Sequence, residues 1–287
     1  MDEQIPPSKP PLFVVMGFPI EHSLSPNIHT IFSKTLDVPI SYERMEVLAD
    51  KVTDALQTLK LRGAKGANIT APLKEVLFLN TQNMSDRARH AQAINTITLR
   101  EDGSIWGDNT DGIGFVRDLT DNNAVTVSGK KILVIGAGGA ARGILRPLLG
   151  LEPRKIDVVN RSRPKALELV DYFKPWGKVR VQEYDKLKKA QYDIIIHATS
   201  AGLQGELPPL PEGFSPRGAS CYDLSYQEAA KPFLEWAKKK GATRTIDGLG
   251  MLVEQAAESF FQWHQKRPKA YPVIQQVRNI LEHAQVE

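Results

Sequence analysis

The sequence has little of what a secreted or membrane protein needs. Cys221 is the only cysteine in 287 residues, so no intrachain disulfide can form, and the chain fits a reducing compartment, which we expect to be the cytoplasm. No apolar run approaches the ~18 residues of a membrane-spanning helix. The polar, proline-rich residues 1–11 lack the basic start and apolar centre of a secretory signal, and we expect them to form a short disordered tail.

Several common kinds of site also lack their sequence patterns. The six histidines show neither an HExxH motif nor paired Cys/His spacing, so we expect no metal site. Ser200 lies in ATSAG, which is not the GxSxG elbow of a serine hydrolase. The basic stretches 237–241 and 264–271 are short and typical of a helix end and a turn, so we expect no nucleic-acid partner. The mild net charge, 37 basic minus 33 acidic residues or +4, favours the approach of an anionic substrate or cofactor.

The length and the order of the predicted elements indicate two α/β domains. A chain of 287 residues is about twice the length of a typical domain of roughly 150. In the first third, short apolar strands such as residues 12–17 alternate with amphipathic helices such as one beginning at Ser25, which predicts a mostly parallel sheet with crossover helices. Asp102-Gly103 predicts a hairpin. A second series of strands and helices begins near residue 130.

The segment GAGGAARG, residues 136–143, carries a dinucleotide-binding pattern. Gly136 and Gly138 occupy its first two positions and Ala141 the third, between a predicted strand and a predicted helix. The first glycine permits a tight turn, and the second lets backbone amides approach a pyrophosphate at the helix N-terminus. A glycine turn with a purely structural role is the alternative.

The end of the next strand favours NADP over NAD. An NAD site expects an acid there, whereas a 2′-phosphate is bound by arginine. Asp157 is the nearest acid, but it lies early in the strand and is predicted to point away from the ribose. The guanidinium of Arg161 can bind the phosphate and stack on adenine, although a solvated basic helix start is the alternative. The residues offered at this position are Asn160, Arg161, Ser162, Arg163 and Lys165.

Lys74, in the segment ANITAPLKE, follows a predicted strand end and a proline. Nicotinamide chemistry requires a group that exchanges a proton with the alcohol or carbonyl oxygen. Asp111 lies where the chain crosses into the second domain, beside the expected interdomain cleft. An ammonium beside a carboxylate stays charged and oriented. We therefore predict a Lys74–Asp111 pair at the reacting oxygen, against the alternative of an ordinary surface lysine.

Ser23 and Ser25 lie two residues apart in the SLSP turn. This spacing can direct two hydroxyl groups at one carboxylate. The alternative is that Ser25 only caps the helix that continues through Pro26.

Eight motifs in order resemble those of the shikimate dehydrogenase family: GFPIEHSLSPNIH, NITAPLK, AINT, DNTDGIGF, GAGGAARG, NRS, DLSY and DGLGMLVEQAA. The ordered set is far more specific than any single motif. Members of this family reduce 3-dehydroshikimate to shikimate with NADPH, in the pathway to aromatic amino acids. The resemblance implies a discontinuous substrate-binding domain, residues 1–111 and 247–287, and a Rossmann-like NADP-binding domain, residues 112–246, with a cleft between them.

The resemblance also implies residue roles. Lys74 would exchange the proton, and Asp111 would hold both Lys74 and a substrate hydroxyl. The substrate carboxylate would be bound by Ser23, Ser25 and Tyr226, and the ring hydroxyls by Asn68, Thr70, Asn95, Asp111 and Gln255. The cofactor would be bound by Asp86, Gly136, Ala137, Gly138, Gly139, Ala140, Asn160, Arg161, Ser162, Arg163, Lys165, Thr199, Leu224 and Gly248.

Three positions depart from the family pattern or lie at its margin. His197 stands where asparagine is common and Leu224 where methionine is frequent, both near the expected nicotinamide site. His197 is otherwise predicted to be a histidine at a buried strand end, and Cys221 a small core residue. Asp86 could equally be a helix-start carboxylate.

Two rival functions stay open at this point. One is a quinate/shikimate dehydrogenase that prefers NAD, and the other is a non-catalytic NADP-binding protein on the same fold. Arg161 argues against the first, and the Lys74–Asp111 pair against the second. The sequence leaves both a monomer and a homodimer open.

Overall fold

The computed structural model describes residues 9–283, without the side chain of Lys189. Most of the predicted disordered tail, residues 1–11, lies outside the described residues, and residues 9–11 form no helix or strand. The described chain folds around two six-stranded sheets. Within residues 9–283, no helix combines the length and apolar character needed to cross a membrane.

The first sheet is mixed but mainly parallel. Its strands are β1 (Leu12–Gly17), β2 (Ser41–Glu46), β3 (Gly66–Ile69), β4 (Asn83–Met84), β5 (Thr96–Leu99) and β6 (Ile105–Asp108). They lie in the order β2-β1-β3-β5-β6-β4. Only β5 runs antiparallel to both of its neighbours, β3 and β6, and the predicted hairpin at Asp102-Gly103 joins it to β6. The mostly parallel sheet and the hairpin are therefore both confirmed.

Helices cover both faces of the first sheet, as the period of two along β1 requires. The helices in this part are α1 (Ser25–Leu36), α2 (Val52–Leu61), α3 (Leu73–Asn80), α4 (Asp86–Ala91) and α5 (Asp111–Arg117). Val14 and Met16 pack into a core with α2 and α3. Phe13, which precedes Val14 in sequence, points to the other face and stacks on Trp263 at a ring distance of 4.6 Å.

The second sheet is entirely parallel. Its strands are β7 (Lys131–Ile135), β8 (Lys155–Val159), β9 (Val179–Val181), β10 (Ile194–His197), β11 (Ser220–Asp223) and β12 (Arg244–Ile246), with helices α6 (Gly139–Leu149), α7 (Arg163–Phe173) and α8 (Lys231–Lys239). The order β12-β11-β10-β7-β8-β9 is that of dinucleotide-binding doubly wound sheets. The strand order reverses between β7 and β10, which is where ligands bind in such folds.

The last two helices, α9 (Leu249–His264) and α10 (Ala270–His283), pack beside the first sheet. Ile28 and Phe32 of α1 share one buried core with Val253 of α9 and Val277 of α10. The chain thus returns to its N-terminal part after completing the second sheet.

Helix α5 connects the two halves through close helix crossings. A Cβ on Gly114 would lie 2.6 Å from the backbone nitrogen of Gln255 in α9, and a Cβ on Gly112 would collide with the carbonyl oxygen of Gly143 in α6. Glycine is therefore required at both positions, because any side chain would push the helices apart.

A buried carboxylate strengthens the same crossing. Glu258 of α9 accepts hydrogen bonds from Arg87 (2.9 Å), Arg117 (2.6 Å) and Arg267 (2.6 Å). Burial on its own would raise the pKa of Glu258, but the hydrogen bonds from Arg87 and Arg117 outweigh it and lower that pKa. The carboxylate therefore stays charged and ties α4 and α5 to α9.

The Gly114 contact predicts a stability effect. Gly114→Ala should lower the thermal unfolding midpoint, because overpacking against a backbone costs about 1–3 kcal/mol. The matched control is Gly143→Ala, whose Cβ would meet no atom within 4 Å and which should leave the midpoint unchanged or raise it, since alanine is the better helix former. Equal midpoints for the two variants would contradict a close α5–α9 crossing.

Candidate active site

A cleft of about 340 Å³ lies between the two sheets. It brings together all the residues predicted to act on the substrate: Ser23, Ser25, Asn68, Thr70, Lys74, Asn95, Asp111, Tyr226 and Gln255. Leu224 and Gly248, predicted to contact the cofactor, also line it. These residues come from the ends of β1, β3 and β11, from the residue before β5, from the starts of α1, α3 and α5, and from the N-terminal half of α9 with the residue before it. The cleft is where the two series of strands point their carboxyl ends.

The predicted Lys74–Asp111 pair is present. Lys74 Nζ lies 2.6 Å from Asp111 Oδ2, with 31% of the lysine side chain and 19% of the aspartate side chain exposed. Lys74 is in the first turn of α3 and Asp111 is the first residue of α5. A partly exposed amine can both reach a bound ligand and exchange protons with solvent.

The second carboxylate oxygen of Asp111 is held as well. Asn95 Nδ2 donates to Asp111 Oδ1 at 2.8 Å and to Thr110 Oγ1 at 2.9 Å, while Asn95 Oδ1 accepts from the Thr110 backbone amide at 2.8 Å. Gln255 Oε1 lies 3.4 Å from both Asn95 Nδ2 and Thr110 Oγ1. The orientation of Asp111 is thus fixed by the buried Asn95 amide, which is itself held by Thr110 and Gln255.

The serine turn lines the cleft. Ser25 is buried, and its backbone amide donates to Ser23 Oγ at 3.3 Å. The residue before α1 is Leu24, and no side chain caps this helix, so the alternative that Ser25 is an N-cap is wrong. Tyr226 lines the same cleft, and burial raises the pKa of its phenol, which therefore stays protonated and able to donate.

Asn68 is oriented by residues that the motifs did not reveal. Tyr42 donates its hydroxyl to Asn68 Oδ1 at 2.7 Å, and Asn68 Nδ2 donates to Ser259 Oγ at 2.9 Å and to Thr96 Oγ1 at 3.2 Å. Ser259 was detectable in part, because it lies one helical turn after Gln255 on α9. Tyr42 had no signal beyond its place in a predicted strand.

The buried His29 packs against Tyr42, one of the residues that orient Asn68. His29 stacks on Tyr42 at 4.2 Å, and neither of its ring nitrogens has a hydrogen-bond partner among residues 9–283. Burial lowers the pKa of His29 to about 3. The ring is therefore neutral and acts as an aromatic packing residue.

The glycine-rich turn has the form that a dinucleotide site needs. Gly136 follows β7 with a φ of +121°, and a Cβ there would lie 2.7 Å from the carbonyl oxygen of Ala198. A Cβ on Gly138, by contrast, would meet nothing within 4 Å, and no side chain caps α6. Gly138, Gly139 and Ala140 are exposed at the start of α6, which leaves room for a phosphate at this helix N-terminus.

The basic segment after β8 is solvent-accessible. Asn160 Nδ2 donates to the Ser162 carbonyl at 2.9 Å, which orders the turn before α7. Arg161, Arg163 and Lys165 are exposed. Asp157 is buried and accepts from the Tyr192 hydroxyl at 2.9 Å, which agrees with the expectation that it points away from the ribose.

Three family models match the chain. They are the shikimate dehydrogenase substrate binding domain over residues 15–97, shikimate/quinate 5-dehydrogenase over residues 118–204, and the shikimate 5′-dehydrogenase C-terminal domain over residues 248–278. Over 266 residues, 93% of this chain and 98% of the relative, the chain is 46% identical to a shikimate dehydrogenase (NADP(+)) of Alkalilimnicola ehrlichii.

The chain belongs to the shikimate dehydrogenase family.

Other members are similar over nearly their whole length. The chain is 44% identical over 269 residues to a shikimate dehydrogenase (NADP(+)) of Nitrosococcus oceani, covering 94% of this chain and 95% of that protein. Among solved structures, shikimate 5-dehydrogenase from Thermus thermophilus in complex with NADP(H) and shikimate superposes with a TM-score of 0.83 at 30% identity, covering 94% of this chain and 99% of that chain. The two-domain α/β fold with a Rossmann-like half is thereby shown.

His197 and Asp86, which depart from the shikimate dehydrogenase pattern or lie at its margin, and the core residue Cys221 have distinct settings. His197 is fully buried at the end of β10, as predicted. Cys221 is a buried core residue of β11, also as predicted, and burial raises the pKa of its thiol to about 12. Asp86 begins α4 with its side chain 86% exposed and paired with Arg89 at 2.8 Å. It does not line the cleft, and this setting is that of a helix-start carboxylate.

Proposed function

We propose that this protein is an NADP-dependent shikimate dehydrogenase, which interconverts 3-dehydroshikimate and shikimate in the pathway to aromatic amino acids. The observation that carries the proposal is the 2.6 Å contact between Lys74 and Asp111 inside a cleft that also holds Ser23, Ser25 and Tyr226. A proton-exchanging amine thus lies in the same cleft as three hydroxyl donors for a carboxylate. The names of the NADP-dependent relatives support the substrate and the cofactor.

The substrate is anchored at two ends. Ser23, Ser25 and Tyr226 donate hydrogen bonds to its carboxylate, and the raised pKa keeps Tyr226 in the donating form. The ring hydroxyls are bound by Asn68, Thr70, Asn95, Asp111 and Gln255, all of which line the cleft. Asn95 and Asp111 are already fixed by internal hydrogen bonds, so binding the substrate costs little additional side-chain entropy.

Lys74 and Asp111 carry the proton transfer. Bound NADPH supplies a hydride to the carbonyl carbon. The Lys74 ammonium donates its proton to the carbonyl oxygen, which becomes the hydroxyl of shikimate, and the amine then regains a proton from solvent. Asp111 keeps the amine directed at that oxygen through the 2.6 Å contact.

The residues of the second sheet fit NADP. The open, uncapped start of α6 at Gly138 accommodates a pyrophosphate, and the exposed Arg161 can bind a 2′-phosphate. Leu224 and Gly248, which are proposed to contact the cofactor, also line the substrate cleft, so the two binding sites adjoin.

The predicted domain division is part of this proposal. We assign residues 1–111 and 247–287 to the substrate-binding domain and residues 112–246 to the NADP-binding domain. The shared core of α1, α9 and α10 supports joining the C-terminal helices to the first part of the chain. The single, buried Cys221 supports a cytoplasmic location.

The test of the activity is the rate of reduced-cofactor formation by purified protein, with shikimate and quinate each combined with NADP and NAD. We expect turnover mainly with shikimate and NADP, because quinate carries an extra hydroxyl on the carboxylate-bearing carbon, next to the serine pair. Equal rates with quinate and NAD would contradict the proposed specificity. No turnover with any pair would favour the non-catalytic NADP-binding protein.

Replacing Lys74 tests the proton transfer. Lys74→Ala should lower kcat by ~10² or more, the usual effect of losing a general acid/base, with little change in the KM for shikimate. Lys60→Ala, on the exposed side of α2, is the matched control and should keep the parent rate. A Lys74→Ala enzyme working at full rate would remove this mechanism.

Replacing Arg161 tests the choice of cofactor. Arg161→Ala should weaken NADP binding roughly tenfold or more, the scale of a charge-assisted hydrogen bond, while NAD binding stays nearly constant. Arg180→Ala removes an exposed arginine from β9 and should change neither. Equal weakening of NADP and NAD would mean that the 2′-phosphate is bound elsewhere.

A further inference from the structure

Three side chains beside the glycine-rich turn form a continuous hydrogen-bonded chain. His197 Nδ1 lies 2.7 Å from Asp223 Oδ2, and His197 Nε2 lies 2.6 Å from Thr199 Oγ1. The other oxygen of Asp223 accepts the backbone amide of Ser225 at 2.8 Å. The side chains of His197 and Asp223 are fully buried, and Thr199 is half-buried. This series of hydrogen-bonded side chains thus runs from the interior of the sheet to its surface.

The direction of each hydrogen bond follows once the imidazole hydrogen of His197 is placed on Nδ1, beside the carboxylate. An ionised carboxylate only accepts, so Asp223 takes the hydrogen on Nδ1 of His197. When Nδ1 carries the only ring hydrogen of His197, Nε2 has a lone pair and accepts the hydroxyl hydrogen of Thr199. Thr199 is left with its oxygen as an acceptor toward the surface, where it already receives the Ala201 amide at 3.3 Å.

Thr199 lies where a dinucleotide would bind. It follows β10, and Gly136 follows β7, so the two residues stand on either side of the point where the strand order reverses. A Cβ on Gly136 would lie 3.0 Å from Thr199 Cγ2. The threonine side chain therefore packs against the turn itself. Leu224, whose backbone amide donates to the His197 carbonyl at 2.9 Å, reaches the substrate cleft from the same place.

We infer that Asp223 and His197 are positioning residues that hold Thr199 as a hydrogen-bond acceptor for an N–H or O–H donor of the nicotinamide-ribose part of NADP. This inference rests on the function proposed above. The buried pair sets the polarity of the Thr199 hydroxyl, which accepts a hydrogen bond from the ligand and does not donate one. A hydroxyl without this pair rotates freely and satisfies either kind of ligand group.

Asp223→Asn reverses the polarity with almost no change in shape. The asparagine oxygen can keep the hydrogen bond from Ser225, and its amide nitrogen then faces His197 Nδ1 and donates to it. The imidazole hydrogen moves to Nε2, which donates to Thr199, so that the threonine hydroxyl must donate outward. We expect NADPH affinity, measured by fluorescence titration of the full chain, to fall about tenfold, while the KM for shikimate changes less than about twofold.

A double-mutant cycle separates this role from a structural one. Thr199→Val removes the hydroxyl, so Asp223→Asn should have no further effect on NADPH affinity in that background, whereas Thr199→Ser should keep the full effect. Additive losses in the cycle would overturn the inference, because they would show that Asp223 acts without Thr199. Unchanged NADPH affinity in Asp223→Asn, with an unfolding midpoint equal to the parent's, would also overturn it.

Measurements on the parent protein distinguish a failure of this inference from a failure of the proposed function. If it neither binds NADPH nor oxidises shikimate, the proposed function fails, and this inference fails with it. If the parent does both and the cycle is additive, only the positioning role of Asp223 and His197 is lost.

Discussion

The crossing of α5 and α9 is the contact on which the site depends. Gly114 lets the backbones of the two helices approach within van der Waals distance, and Glu258 with its three arginines holds them there in a buried ionic cluster. Asp111 begins one helix and Gln255 lies on the other, so the same crossing brings both into the cleft. Because α5 also packs on α6 through Gly112, this contact links the substrate residues to the dinucleotide turn.

The side chains of the site are held in single orientations by hydrogen bonds to one another. Both oxygens of Asp111 are occupied, one by Lys74 and the other by Asn95. Asn68 is held in the same manner by Tyr42 and Ser259. Buried polar groups without partners would destabilise the fold, so their mutual satisfaction stabilises the protein and orients the site together. A preorganised site of this kind loses little entropy when it binds its substrate.

Much of the fold and of the site could be predicted from the sequence where the signal was local. Gly136 and Gly138 predicted a strand, turn and helix, and the structure has them; the hairpin at Asp102-Gly103 followed from turn chemistry. Lys74 and Asp111 were paired from their places at element ends and lie 2.6 Å apart. The hairpin accounts for the antiparallel pairing of β5 with β6, whereas the antiparallel pairing of β5 with β3 was not predicted. For Asp86 the family resemblance implies a cofactor contact, but the 86% exposure of its side chain could be read only from the structure.

The sequence by itself determined the order of the motifs, the residue types available for proton transfer and carboxylate binding, and the alternation of strands and helices. The tertiary structure alone decided which of these groups share a hydrogen bond. Asn68 and Ser259 are 191 positions apart, and the contact between them depends on the whole path of the chain. The chain from Asp223 through His197 to Thr199 likewise requires β10 and β11 to lie in register. Periodicity and propensity act over a few residues, whereas packing of distant segments sets distances and directions.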